Sequence, residues 1–209
     1  MEVGVGAGWF EKEHTQNGFA FAPIRERFDM LEEYVEVLVG SWAALPFDFE
    51  GTHFRLRDQL ALPAPLQTPH PPLIFGGRGG PRSRAVAARF GDEYNTAFLG
   101  VDDSAALRSR LDEACAAAGR TPSSLPLSLM TLVSPGAGPA EATQRLERMA
   151  ERFRGPRERC HAGTVEEMTD VLGRYAQAGV TRVYLQYPDR SDFAAIELFG
   201  ELAARVAPL

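Results

Sequence analysis

The chain reads as an α/β protein built on a parallel sheet. Three observations predict this. Strand-like apolar runs alternate with helix-period segments along the 209 residues. The run Leu73-Ile74-Phe75 is wholly apolar, as in parallel strands covered on both faces. Residues that open and close helices fall between the segments where such an alternation needs them. Two architectures satisfy the pattern, a doubly wound sheet and part of an eightfold barrel.

The first strand, Val3 to Gly6, runs into Ala7-Gly8-Trp9, a glycine-rich turn that permits close approach of another group. Glu11 to Gly18 is polar. Pro23 opens a helix whose Phe28, Leu31, Val35, Leu38 and Trp42 recur at spacings of three and four, one buried stripe that Pro46 stops. Phe47 to Leu56 alternates around Glu50-Gly51 and predicts a small hairpin or paired extended arms, followed by a proline-rich crossing from Pro63 to Pro72. Leu73 to Phe75 is the next strand; it ends in Gly76-Gly77-Arg78-Gly79-Gly80, and Pro81 opens a helix over Arg82 to Phe90. Glu93 to Phe98 is a strand. Asp102-Asp103-Ser104 is expected to cap a helix that Gly119 closes. Leu127 to Val133 is a strand, followed by a helix from Pro139 to Phe153. Thr164-Val165-Glu166-Glu167 has the spacing of a capping box and opens a helix to Gln177, with Gly179 beyond its end. Thr181 to Tyr187 is the last strand and Asp192 to Val206 the last helix.

With 44% apolar residues the chain can fill the core of a single domain over residues 1–209. A formal charge of -6 argues against general nucleic-acid binding, which needs clustered positive charge. Lys12 is the only lysine, so arginine carries nearly all the positive charge. Cys115 and Cys160 have no redox or metal spacing, and a reducing cytoplasm is expected. The opening residues lack the basic and apolar regions of a secretion signal, and no apolar run reaches the roughly 18 residues of a membrane span.

The best candidate for chemistry is Gly76 to Gly80. Successive backbone N–H groups in a glycine turn that enters a helix make a concave donor array, and the helix start adds about half a positive charge, a seat for phosphate. Arg78, Arg82 and Arg84 are placed to add charge. Gly4, Gly6 and Gly8 have part of a dinucleotide-binding spacing, but the helix and the acidic residue that should follow are absent from their places. His14, beside Glu11 and Glu13, is the one histidine near these turns and the candidate for proton relay. His53, His70 and His161 are scattered, and no metal site is expected. No Walker loop or nucleophile elbow occurs. Asp92, Tyr94 and Asn95 lie at the strand after the glycine loop, and Tyr187 and Asp189 at the end of the last.

Four stretches, in order, resemble the bacterial luciferase-like monooxygenase superfamily, and most closely its branch of deazaflavin (coenzyme F420)-dependent oxidoreductases. They are Gly4 to His14 with Gly18; Arg25-Glu26-Arg27-Phe28 through Phe49-Glu50-Gly51-Thr52-His53-Phe54; Pro71 to Gly77; and Gly163-Thr164 through Gly179-Val180 with Leu185-Gln186. The resemblance implies a (β/α)8 barrel of the TIM type, of which this chain is N-terminally incomplete: Val3 to Gly6 corresponds to the fourth strand, and strands four to eight are present with helices outside. The part in front would contribute half of the cofactor pocket, a cis peptide bracing the flavin ring, and much of the dimer surface. The resemblance places the phosphate of F420, or alternatively FMN, most closely on Gly76 and Gly77, with Gly79 and Gly80 as near alternatives and Arg78 as added charge. It also brings the ribityl chain and ring edge close to Gly4, Gly6 and Gly8, with Trp9 and Phe10 flanking. Several F420-using relatives carry asparagine where Phe10 stands.

The activity so implied is hydride transfer to or from a small organic substrate, with His14 as the catalytic candidate. A reading from a different class is a non-catalytic flavin- or phosphate-binding protein that keeps the glycine seat without turnover. Five barrel strands leave unpaired edges at Val3–Val5 and Val183–Leu185, where a second copy of the chain would pair.

Overall fold

The computed structural model describes residues 1–152 and 160–207, with side chains outside 150–152. The chain forms two compact units, Met1–Glu93 and Tyr94–Leu209. The expected helix end at Phe153 lies outside the described residues.

In the first unit, β1 (Val3–Val5) and β4 (Leu73–Gly76) pair in parallel, with Val3, Gly4 and Val5 opposite Leu73, Ile74 and Phe75. Leu73 and Phe75 are buried, as a short apolar run requires. Glu11–Gln16, expected only to be polar, forms a short helix, α1. The long helix α2 (Ile24–Ala43) starts after Pro23 and buries Leu31 and Val35, the middle of the predicted stripe; Phe28, Leu38 and Trp42 are half-buried. The hairpin is present as antiparallel β2 (Phe47–Glu50) and β3 (Arg55–Gln59). Its turn is tied to α2 through Glu33, whose carboxylate accepts the backbone N–H groups of Thr52, His53 and Phe54 at 2.9, 2.8 and 3.1 Å. Helix α3 (Pro81–Phe90) follows the glycine loop. It is linked to α2 by ion pairs from Arg82 to Asp29 and Glu32 and from Arg89 to Glu36.

The second unit centres on β6 (Leu127–Pro135). It pairs in parallel with β5 (Glu93–Ala97), with β8 (Val180–Gln186) and, near its end, with β7 (His161–Gly163). Helices α5 (Pro139–Arg152) and α7 (Phe193–Val206) pack on β6, and α6 (Val165–Gln177) on β8. Leu127, Leu129 and Val133 of β6, Leu107 and Leu111 of α4 (Val101–Ala117), Leu172 of α6 and Leu202 of α7 are buried. The capping box at Thr164 is fully formed: Thr164 Oγ1 accepts from Glu167 N and Glu167 Oε2 from Thr164 N.

One local expectation is corrected and one strand is added. Gly100, without a side-chain cap, precedes α4, and Asp102, Asp103 and Ser104 lie inside its first turn, where Ser104 Oγ donates back to the Gly100 carbonyl. The acidic pair still suits the positive end of the helix. The three-residue β7, His161-Ala162-Gly163, carried no sequence pattern at all. Among the described residues β1 pairs only with β4 and β8 only with β6, so both expected strand edges are open. No helix among these residues is long and apolar enough to cross a membrane.

Candidate functional site

Parallel pairing of β1 with β4 brings two of the glycine motifs together. Beyond the last paired residues, Val5 and Phe75, a side chain added at Gly6 would lie 3.5 Å from the Gly76 carbonyl oxygen, and one at Gly76 would lie 3.9 Å from the Val5 carbonyl oxygen. Both positions are exposed at the C-terminal ends of their strands, the end where sites gather in parallel α/β folds.

From Gly76 the chain turns through Gly77 and Arg78 to Gly79, which has φ +73° and is buried. This left-handed conformation costs any L side chain about 1–2 kcal/mol. Gly80 follows with φ -64° and ψ 156° and precedes α3 without capping it, having no side chain to do so. Pro81 brings no N–H, and the first helical hydrogen bond is Arg84 N to Gly80 O at 3.0 Å. A side chain built at Gly80 meets nothing within 4 Å, so the space in front of the helix start is open.

The three arginines behave differently from one another. Arg78 is exposed on the loop. Arg82 does not serve the loop: its guanidinium is held on α2 by Glu32 and Asp29 and donates to the Arg25 carbonyl. The hydrogen bonds it donates to Glu32 push its pKa further up against the cost of burial. Arg84 reaches back and donates from Nη1 to the Gly79 carbonyl. In a planar trans peptide that turns the Gly80 N–H to the opposite side, so Arg84 orients the loop.

The first glycine turn is organised by His14. Its Nδ1 lies 3.1 Å from the Phe10 carbonyl. A carbonyl only accepts, so Nδ1 carries a proton, and of the two neutral tautomers this bond selects the one with its lone pair on Nε2. The ring covers Gly8 (φ +71°), where an added side chain would fall 3.1 Å from Cε1 and 3.2 Å from Nε2. His14 is half-buried and makes an edge contact with Phe21 at 5.0 Å. Trp9 and Phe10 are not core aromatics: Trp9 is 85% exposed, with its ring 5.4 Å from that of Phe10.

Other residues singled out in the sequence have structural work. Asp92 Oδ2 accepts from Leu73 N while Asp92 N donates to Leu73 O, which fixes the start of β4. Tyr94 is fully buried, and Asn95 donates to Ser128 Oγ at 2.8 Å. His161 donates to Tyr175 Oη (3.3 Å), because the Tyr175 hydroxyl proton is committed to the Leu99 carbonyl (2.8 Å). Burial, then the charge of Arg174, pulls the His161 pKa down. Tyr187 donates to Asp192, and Asp189 accepts from Ser191. Among the described residues no group of three or more His, Cys, Asp or Glu could hold a metal ion. Sequence reasoning missed Arg84 as a loop-orienting residue, Glu33, and the buried Arg145, since the partners of each are set by the fold.

The family model described as luciferase-like monooxygenase matches residues 1–194. The chain belongs to the luciferase-like monooxygenase family. It is 35% identical over 96 residues to the FMNH2-dependent dimethylsulfone monooxygenase of Pseudomonas putida, covering 46% of this chain and 26% of that protein. It is 33% identical over 144 residues to the F420-dependent glucose-6-phosphate dehydrogenase of Kineococcus radiotolerans, covering 68% of this chain and 42% of the relative. The chain thus spans less than half the length of either. Among solved structures, an F420-dependent secondary alcohol dehydrogenase in complex with an F420-acetone adduct superposes with a TM-score of 0.82 at 22% identity, over 98% of this chain and 69% of that one. This likeness shows the fold: parallel strands flanked by helices, as in the luciferase-like barrels. Relatives dependent on FMN and on F420 both occur, so the family supports a flavin-type cofactor.

Proposed function

We propose that the first unit seats the phosphate of a flavin-type cofactor, F420 in preference to FMN, on Gly76, Gly77, Gly79 and Gly80. The parent activity of the luciferase-like family member is then hydride transfer between that carrier and a small organic substrate. The observation that carries this reading is the meeting of Gly6 and Gly76 at the ends of adjacent parallel strands, directly before an uncapped helix start. The residues fit the group: the donors are backbone N–H groups, the space before Gly80 is open, and no side chain at Gly6 stands in the way of a ring edge.

When bound, the cofactor supplies the two-electron chemistry, and the protein contributes binding, orientation and electrostatics. Gly79 supplies the left-handed turn, Arg84 fixes its carbonyl and so aims the Gly80 N–H, and the start of α3 favours the phosphate charge. Arg78 adds an exposed positive charge from the loop. His14 is the proton-handling candidate, with Nε2 as the atom that accepts, because Nδ1 is committed to Phe10. Trp9 and Phe10, exposed beside this turn, are the aromatic flank.

The test is a fluorescence titration of the 209-residue chain with F420 and with FMN, repeated on Gly80→Leu and Gly76→Val. A Cβ at Gly80 meets nothing within 4 Å and one at Gly76 only the Val5 carbonyl oxygen at 3.9 Å; affinity should fall by about tenfold or more through steric exclusion from the seat, with circular dichroism checking that each variant is folded. Saturable binding unaffected by both variants would place the phosphate elsewhere. No binding of either cofactor by the folded chain would overturn the reading. F420 or FMN binding without turnover of any alcohol or aldehyde would support the non-catalytic alternative.

A further inference from the structure

A second feature of the first unit lies beyond the glycine seat. His14 covers Gly8, Phe21 meets His14 edge-on at 5.0 Å, and the Arg27 guanidinium sits over the Phe21 ring, 3.8 Å from its centroid. Gly8, His14, Phe21 and Arg27 therefore form one continuous row of contacts leading away from the end of β1. Arg27 is the anomaly in it. Its Nε and Nη1 are shielded from solvent and have no hydrogen-bond partner, and among the described residues it makes no ion pair.

Aromatic stacking satisfies a guanidinium only in part. The ring attracts the charge, worth about 0.5–2 kcal/mol, but it offers no acceptor to N–H groups that lie in the guanidinium plane. Leaving charged donors buried and unpaired is among the costlier arrangements in a protein. Other arginines of this unit show what the chain does when acceptors are wanted: Arg82 takes two carboxylates and a carbonyl, and Arg89 takes Glu36. Arg27 has Glu26 beside it in sequence, yet no carboxylate is turned onto it.

We propose that Arg27 is the anchor for an oxyanion, the carboxylate of an organic substrate, and that Phe21 is the lid that covers the guanidinium until the substrate arrives. A carboxylate matches the planar donors of a guanidinium in geometry and charge. The segment carrying Phe21 has a suitable hinge: Gly18 is left-handed (φ +78°) with open space where a side chain would be, and Pro23 marks the fixed start of α2. Phe19, 68% exposed on the same segment, shows that the segment is lightly packed. Assigning the oxyanion to the substrate rests on the cofactor reading above; the need of Arg27 for acceptors does not.

The experiment uses the full 209-residue chain with acetate as the probe, following the Arg27 Nε–H resonance by NMR, alongside F420 and FMN titrations of the same samples. The expected result is a saturable acetate shift in the wild type and binding tighter by about fivefold in Phe21→Ala, where no ring competes. The shift should be lost in Phe21→Ala combined with Arg27→Gln, as followed through neighbouring amides. Arg27→Lys, which keeps the charge and loses the planar donors, should lose most of the acetate response while cofactor affinity changes by less than about twofold. Acetate binding no tighter in Phe21→Ala than in the wild type, or binding that survives both Arg27 substitutions, would overturn the proposal. An intact acetate response in a chain that binds neither cofactor supports the Arg27 anchor and removes only the cofactor reading.

Discussion

The Arg145 guanidinium and the Asp192 carboxylate meet at two points, Nε to Oδ2 at 2.8 Å and Nη2 to Oδ1 at 3.2 Å, although 47 residues separate them. Arg145 also donates to the Pro135 carbonyl at the end of β6 and pairs with Glu141. Asp192 also accepts from the Tyr187 hydroxyl and caps α7 through Ala195 N. A side chain on α5 thus secures the end of β6 and the start of α7, and both its charge and its donors are compensated.

Because Arg145 is only 3% exposed, removing one member of the pair leaves a buried charge without its partner. Arg145→Ala is expected to destabilise the second unit by about 3–5 kcal/mol, and Asp192→Asn, which keeps a cap, by less. Urea unfolding followed by circular dichroism checks this; equal and small losses would show that water replaces the pair.

The same cluster sets a pH dependence. The Arg145 hydrogen bond holds the Asp192 pKa at about 2 against the opposing effect of burial. An acid whose folded pKa lies below its unfolded value stabilises above the unfolded value and loses that contribution as pH falls through the folded one. Burial, then the bond to Asp192, pushes Tyr187 up to about 12, so its contribution is complete below its ordinary value near 10 and is lost as pH rises toward 12. Melting temperatures across pH should therefore fall at both extremes, and Tyr187→Phe should flatten only the alkaline limb.

Glu33 is expected to control the hairpin turn. Burial raises its pKa, but the N–H groups of His53, Thr52 and Phe54 outweigh that and hold it below the usual carboxylate value. Glu33→Gln retains one acceptor oxygen and Glu33→Ala none, so amide exchange at Thr52, His53 and Phe54 should quicken modestly in the first and strongly in the second. Unchanged exchange in Glu33→Ala would mean that the strands alone hold the turn.

Within the glycine loop, neighbouring positions should respond in opposite ways. Gly79→Ala meets the left-handed backbone (φ +73°) and should cost about 1–2 kcal/mol. Gly80→Ala, at φ -64° with open space beyond it, should be neutral or slightly stabilising through the unfolded chain. Thermal melts of the two variants separate backbone strain from steric effects on the ligand.

The comparison of sequence with structure divides along the range of the interactions. Features governed by neighbours in sequence were legible: the stripe through Leu31 and Val35, the capping box at Thr164, the turns at Gly119 and Gly179, and the glycine loop before Pro81. The parallel fold was legible because alternation of elements constrains topology. Partners set by tertiary packing were not. Nothing in the local sequence distinguishes Arg82, held on α2, from Arg84, folded back onto Gly79, or marks Arg27 as lacking acceptors. The strand His161–Gly163 is too short to show periodicity and exists because the end of β6 offers it a ladder. Asp102 and Asp103 illustrate a third limit, since acidic residues favour both a cap and the first turn, and only backbone geometry tells these apart.

Strand β6 pairs with β5, β7 and β8, and two helices lie against it. No flanking strand can detach fully without baring part of its backbone, and β6 itself cannot open without dissolving every parallel ladder in the second unit. Cooperative unfolding is built into this arrangement: the unit should melt as one piece, and the amides of Leu129 and Thr131 should be the last to exchange with solvent. For a protein engineer, insertions belong in the proline-rich crossing before β4, while the nine residues of β6 are the segment to leave unbroken.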